Sequence, residues 1–185
     1  KSFFIASSVN RIYGYLGKVV FENITVKGIT DETVVFFGNN SSSFVSFVQG
    51  DVKFINCKNS VTLSITNGGG YAGVFIGGYA FYSNSSGNGN IARVQFIDCE
   101  NEAEVTGVAI GFFTGSANQA RFAVVDSLDE LATAKLSDTV QAYAYVENCR
   151  NMGTMVGSQS CGAFSRGNTK INVEFNALAN EALNN

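Results

Sequence analysis

The sequence predicts an all-β fold assembled from stacked repeats, and two observations predict it. The composition suits strands and tight turns: 185 residues include 16 Phe, 7 Tyr and 20 Gly, with no Pro, His or Trp. A phrase also recurs three times, as Phe54-Ile55-Asn56-Cys57-Lys58-Asn59, Phe96-Ile97-Asp98-Cys99-Glu100-Asn101 and Tyr145-Val146-Glu147-Asn148-Cys149-Arg150-Asn151. Recurrence at intervals of tens of residues marks units that do the same structural job beside one another. Each copy is followed by a glycine-framed aromatic: Gly73-Val74-Phe75-Ile76-Gly77, Gly111-Phe112-Phe113-Thr114-Gly115, and Gly162-Ala163-Phe164 closing at Gly167. A degenerate first copy opens at Phe21-Glu22-Asn23-Ile24, with isoleucine in the place of cysteine, and closes at Phe47-Val48-Gln49-Gly50.

Stacking places side chains of like position one above another. Cys57, Cys99 and Cys149 are therefore expected at equivalent positions, and Phe75, Phe113 and Phe164 in one interior aromatic row. Strand-length apolar runs fall at 18–26, 52–55, 61–65, 71–76, 91–97, 105–113, 142–146 and 171–175, separated by Asn, Ser and Gly. Asn and Gly in the repeated phrases tolerate the positive φ of a sharp corner, so Asp98, at the position of Asn56 and Asn148, reads as a turn residue. One stretch breaks the pattern. Ser127 lies three residues before Glu130, and Leu128, Leu131 and Leu136 fall near one face, which predicts a short helical insertion within the longer interval between Cys99 and Cys149. The Asn- and Ser-rich stretches 39–43 and 83–90 read as exposed loops, and 176–185 as a terminal helix or cap.

Length and composition fit one domain, taken as residues 18–185 after an N-terminal arm at 1–17. The net charge of −3 lacks the basic field of a nucleic-acid binder. No apolar run approaches the roughly 20 residues needed to span a bilayer as a helix. Without histidine a hydrolytic triad of the usual kind is closed. The acids, among them Asp51, Asp98, Glu100, Glu102 and Glu104, show no catalytic constellation, and Asp126, Asp129 and Glu130 do not match a calcium loop. No catalytic residue, cofactor or metal site is expected.

The four cysteines, Cys57, Cys99, Cys149 and Cys161, lack the spacing of a zinc site. Either the three repeat cysteines are small buried residues, or Cys57 pairs with Cys99 and Cys149 with Cys161, since stacked strands lie within disulfide reach. Acceptor triplets for N-glycans occur at Asn23, Asn39, Asn40 and Asn84; Asn23, Asn40 and Asn84 are the expected carriers. Together with the cysteines and an apolar start that reads as following a removed segment, they point to an extracellular or cell-surface glycoprotein.

The F-x-N/D-C-x-N phrase followed by Gly-x-Phe-x-Gly, over roughly 50–170, resembles the repeats of GLUG-type and related β-helical surface proteins of bacteria and protists. The resemblance implies a right-handed parallel β-helix in an adhesin, surface-layer or filament-forming protein with no shared catalytic centre. Uneven intervals keep an antiparallel β-sandwich as the alternative. The arm, with Phe3, Phe4, Ile5, Ile12, Tyr13 and Tyr15, either caps its own core or lies along the next subunit by strand addition. The expected function is a structural subunit that self-associates head to tail; the alternative is a carbohydrate- or surface-binding adhesin module.

Overall fold

The computed structural model describes residues 18–28, 33–37, 41–42, 44, 50–66, 71–78, 91–111, 114–116, 122–135 and 142–162. Among the described residues the fold is all-β, with sheets of parallel strands and one short helix, and the strands fall into four tiers. The first holds β1 (Lys18–Glu22), β2 (Thr25–Lys27), β3 (Val34–Phe37) and β4 (Ser41–Ser42). The second holds β5 (Gly50–Ile55), β6 (Lys58–Ser60), β7 (Leu63–Thr66), β8 (Tyr71–Gly73) and β9 (Ile76–Gly78). The third holds β10 (Ala92–Ile97), β11 (Glu100–Asn101), β12 (Val105–Gly111) and β13 (Thr114–Ser116). After it come β14 (Phe122–Val124) and helix α1 (Leu128–Thr133), then the fourth tier of β15 (Ala142–Glu147), β16 (Arg150–Asn151) and β17 (Met155–Gly162).

Each strand pairs with its equivalent in the next tier, giving a first sheet ordered β1-β5-β10-β15-β14 and a second ordered β16-β11-β6-β2. A third sheet runs β3-β7-β12-β8-β4, with β17 also on β12, and β9 pairs β13. Among the described residues every pairing is parallel, unlike the antiparallel sandwich kept as the alternative. In β5 and β10 buried and partly buried residues alternate strictly, so one face of each strand turns inward.

The repeated phrase makes a corner. Asn23, Asn56, Asp98 and Asn148 all have positive φ, at 57°, 47°, 54° and 50°. Their short polar side chains make them the residues other than glycine best suited to that region. The corner also bonds tier to tier: the N–H of Asn23 donates to Ile55 O at 3.0 Å, that of Asn56 to Ile97 O at 2.9 Å and that of Asp98 to Glu147 O at 3.0 Å. Two residues before each corner lies the core position of the phrase. Phe21, Phe54 and Phe96 fill it in the first three tiers, their rings stacked at 5.1 and 5.2 Å with interplanar angles of 9° and 5°. In the fourth tier Val146 takes this place, because register pairs it with Phe96 while Tyr145 pairs with Gln95 on the outer side of the sheet.

Past the corner, Asn59, Asn101 and Asn151 form a buried amide ladder. Asn59 Nδ2 donates to Asn101 Oδ1 at 2.8 Å, and Asn101 Nδ2 to Asn151 Oδ1 at 2.6 Å. Each Nδ2 also donates to a carbonyl two residues on, at Val61, Ala103 and Gly153. This pairing satisfies amides whose burial would otherwise cost about 1–3 kcal/mol each. Val26 holds the same position in the first tier. At Gly153 a Cβ would come within 2.1 Å of Ala103 O, so the tiers touch there too closely for any side chain.

The register revises the first glycine-aromatic phrase. Gly73, Gly111 and Gly162 align, and Ser42 aligns with Gly73, so the first-tier aromatic is Phe44 rather than Phe47. Phe44 is fully buried, 5.3 Å from Phe75 and 5.7 Å from Phe54. Phe47, Phe113 and Phe164 lie outside the described residues. Ser41 and Ser42 belong to β4, so part of the expected loop at 39–43 is strand.

The helix starts as its cap predicts, with Glu130 N–H donating to Ser127 Oγ, but it is shorter than 127–136. Leu131 is buried while Leu128 is exposed, so these two leucines do not share a buried face; Leu136 lies outside the described residues. Strand β14 precedes β15 in the chain yet lies on its far side, a reversal that period alone does not reveal. Replacement of Asn56 tests the corner. Asn56→Ala is expected to lower stability in urea by about 1–2 kcal/mol, and Asn56→Gly, which loses the same side chain without the left-handed penalty, by less.

Candidate functional site

The thiol column lies next to the corner. Cys57, Cys99 and Cys149 are buried free thiols at equivalent positions, and Ile24 holds that place in the first tier, with Lys58 N–H donating to Ile24 O and Glu100 N–H to Cys57 O. Cys57 Sγ donates to Phe21 O at 3.3 Å and Cys99 Sγ to Phe54 O at 3.3 Å. A hydrogen bond with Cys99, then burial, pushes the Cys57 thiol far up; burial, then a hydrogen bond with Cys149, does the same to Cys99. These are poor nucleophiles, held protonated. With all three thiols free and buried, they are small core residues, and neither expected pairing, Cys57 with Cys99 or Cys149 with Cys161, is formed; the side chain of Cys161 lies outside the described residues.

The candidate carboxylates are mostly engaged in joining tiers. Lys58 pairs with Glu102, whose carboxyl is held below its ordinary range by that bond and by one from Ser60; Arg150 Nη2 donates to Glu100 at 2.9 Å. Asp98 makes its corner. Asp126, Asp129 and Glu130 are exposed, and Glu130 Oε2 accepts from the N–H of Asp126. Among the described residues no group of three or more His, Cys, Asp or Glu is arranged to hold a metal ion. The acceptors Asn40 and Asn84 lie outside the described residues, as do the arm residues Phe3, Phe4, Ile5, Ile12, Tyr13 and Tyr15. Asn23 is described and exposed.

Two features remain that contact the outside. The first is the free edge of the first tier: among the described residues β1, β2 and β3 each pair on one side only. Because Asn23 N–H points into β5, alternation turns the N–H groups of Val20 and Glu22 away from the sheet. Val20 is 53% exposed. The second is a groove of about 490 Å³ between α1 and the outer face of the first sheet, lined by Lys18, Val20, Lys53, Arg93 and Gln95 with Leu131 opposite.

Arg93 Nη2 donates to Ala134 O at 2.7 Å and Tyr143 Oη to Lys135 O at 2.8 Å, fastening the end of the helix across the sheet. Arg93 Nη1 meets Asp51 at 3.4 Å, and its Nε is buried without a partner among the described residues. Lys18 and Lys53 make no ion pair among the described residues. Sequence reading missed this groove; the alternation of Lys53 with Val52 and Phe54 marks an outward face, but nothing in the pattern says that the insertion folds over it. No helix among the described residues is long and apolar enough to cross a membrane. No protein-family description, curated protein or solved structure matches the chain.

The thiol column sets an alkaline limit. Both resolved thiol pKa values lie above the ordinary 9.0, so the stability they contribute is complete below pH 9.0 and is lost as pH rises beyond it, while thiolates form in the unfolded chain. Each contributes a fall of at most about 1.4 kcal/mol per pH unit. Urea unfolding between pH 8 and about 10.5 is expected to show a shallower decline in the Cys57→Ala/Cys99→Ala variant than in the parent.

Proposed function

We propose that the chain is a non-catalytic structural module of an extracellular or cell-surface assembly, a right-handed parallel β-helix that joins further copies of itself through its first tier. The open edge of β1 carries this reading. Unpaired strand edges invite strand addition unless guarded, and Lys18–Glu22 holds no proline and an exposed Val20 at its centre. The resemblance to GLUG-type surface proteins supports the same class. A head-to-tail junction propagates rather than closing. The far end differs from the first tier, since β14 covers β15 in the first sheet, so β1 of the next copy would meet β14 there.

Proline at position 20 removes an N–H that points away from the sheet and leaves the pairing with β5 intact. Sedimentation velocity of chains carrying no N-glycan is expected to show concentration-dependent polymers for the parent and a monomer for Val20→Pro, with equal β-sheet circular dichroism. Monomers alone for the parent, or polymers of the variant, would contradict the reading.

The groove favours the alternative, a carbohydrate- or surface-binding module. Two lysines without ion pairs, with Val20 and Leu131 nearby, suit an acidic sugar chain that presents charge along its edges and apolar ring faces. Titration with an oligouronate is expected to show salt-sensitive binding that Lys53→Glu weakens at least tenfold, against none for a neutral oligosaccharide. Equal binding of the neutral chain would remove this reading.

A further inference from the structure

We propose that Asn23 is an N-glycan acceptor whose sugar closes the first-tier end of the stack, so that glycosylation at this residue and addition of another copy at that end exclude one another. The inference rests on the self-association reading. The triplet Asn23-Ile24-Thr25 supplies the acceptor pattern, and Asn23 and Thr25 are both exposed. The direction in which its amide points goes beyond the pattern. Asn56 Nδ2 donates to Asn23 Oδ1 at 2.7 Å, so the carbonyl side of the Asn23 amide faces the second tier. Its Nδ2 is left facing the opposite way, where a preceding tier would lie, and it has no partner among the described residues. Nδ2 of the second-tier corner bonds Oδ1 of the first, and Asn23 is the first such corner among the described residues.

A strand added to β1 would lie about 4.8 Å away, and the copy that carries it would cover the end of the stack toward which this Nδ2 points. A sugar joined there fills the same space. The transfer requires a glycosyl donor carried on a lipid diphosphate: the bond between sugar C1 and diphosphate oxygen breaks, Nδ2 bonds C1 and loses a proton to the transferase, and the lipid diphosphate leaves with the electron pair. Backbone pairing of the corner survives modification, because the N–H of Asn23 bonds Ile55 O and its side-chain nitrogen bonds no group among the described residues. Among the acceptor triplets, this is the one for which the described geometry gives the nitrogen a direction.

The test is secretion of the chain from eukaryotic cells, glycopeptide mapping, and sedimentation velocity before and after treatment with an amidase that releases N-glycans and leaves aspartate behind. The corner accommodates aspartate, as Asp98 shows at φ 54°. Thr25→Val removes this acceptor alone and keeps a β-branched residue in β2. We expect a glycan on Asn23, a monomer while it is present, and association once the amidase or Thr25→Val removes it. An unoccupied Asn23 in secreted protein overturns the proposal, as does glycosylated protein that associates as strongly as the stripped form. If Asn23 is occupied yet both the stripped protein and Thr25→Val stay monomeric, self-association fails and the modification site alone stands.

Discussion

The left-handed corner at Asn23, Asn56, Asp98 and Asn148 is the constraint on which the rest of the structure depends. It turns the chain from the first sheet into the second within a single residue, and it does so at the same level of the phrase in every tier. Once the corner position is set, everything a fixed number of residues before or after it falls into register. The phenylalanine two residues earlier meets the phenylalanine of the next tier, the cysteine one residue later meets the next cysteine, and the asparagine two residues beyond that meets its partner amide. A one-residue slip would turn the core face of each strand outward and break the amide ladder at once, so correct register is favoured by apolar burial and by polar satisfaction together.

The interior combines two kinds of column with different energetics. Stacked phenylalanines contribute by burial, roughly 1.5–3 kcal/mol for each side chain, and tolerate modest shifts. The Asn59-Asn101-Asn151 ladder contributes little net energy when complete but penalises any misplacement, because a displaced amide is left buried without a partner. The charged pairs outside, Lys58 with Glu102 and Arg150 with Glu100, follow the same register but are largely solvent-screened and add little. Apolar columns drive the stacking, and amides and corners decide its alignment.

Much of this was legible in the residues. The recurrence of Asn/Asp-Cys locates the corners and the thiol column, and Ile24 stands at the cysteine position of the degenerate first copy. The third phrase was harder: Tyr145 looks like the counterpart of Phe54, but counting back from Cys149 gives Val146, and alignment to the corner is what register obeys. Phe47, in the phrase that closes at Gly50, looks like the first-tier aromatic, whereas Phe44 holds the place, with Ser42 standing where later tiers have glycine. The placement of β14 beyond β15 and the fold of α1 over Lys53 and Arg93 are tertiary choices made by side-chain contacts across tiers, and no local period encodes them. The groove was therefore invisible from the chain alone.

Register between tiers is the central claim, and disulfide trapping across the first sheet measures it directly. Lys53 and Gln95 face outward and are paired by the parallel register, whereas Lys53 and Ile97 are two positions apart. In a background with Cys161→Ser, mild oxidation is expected to link Lys53→Cys with Gln95→Cys quickly within one chain, and to link Lys53→Cys with Ile97→Cys slowly or not at all. Equal linking of both pairs, or faster linking of the offset pair, would contradict the stacked register and the account built on it.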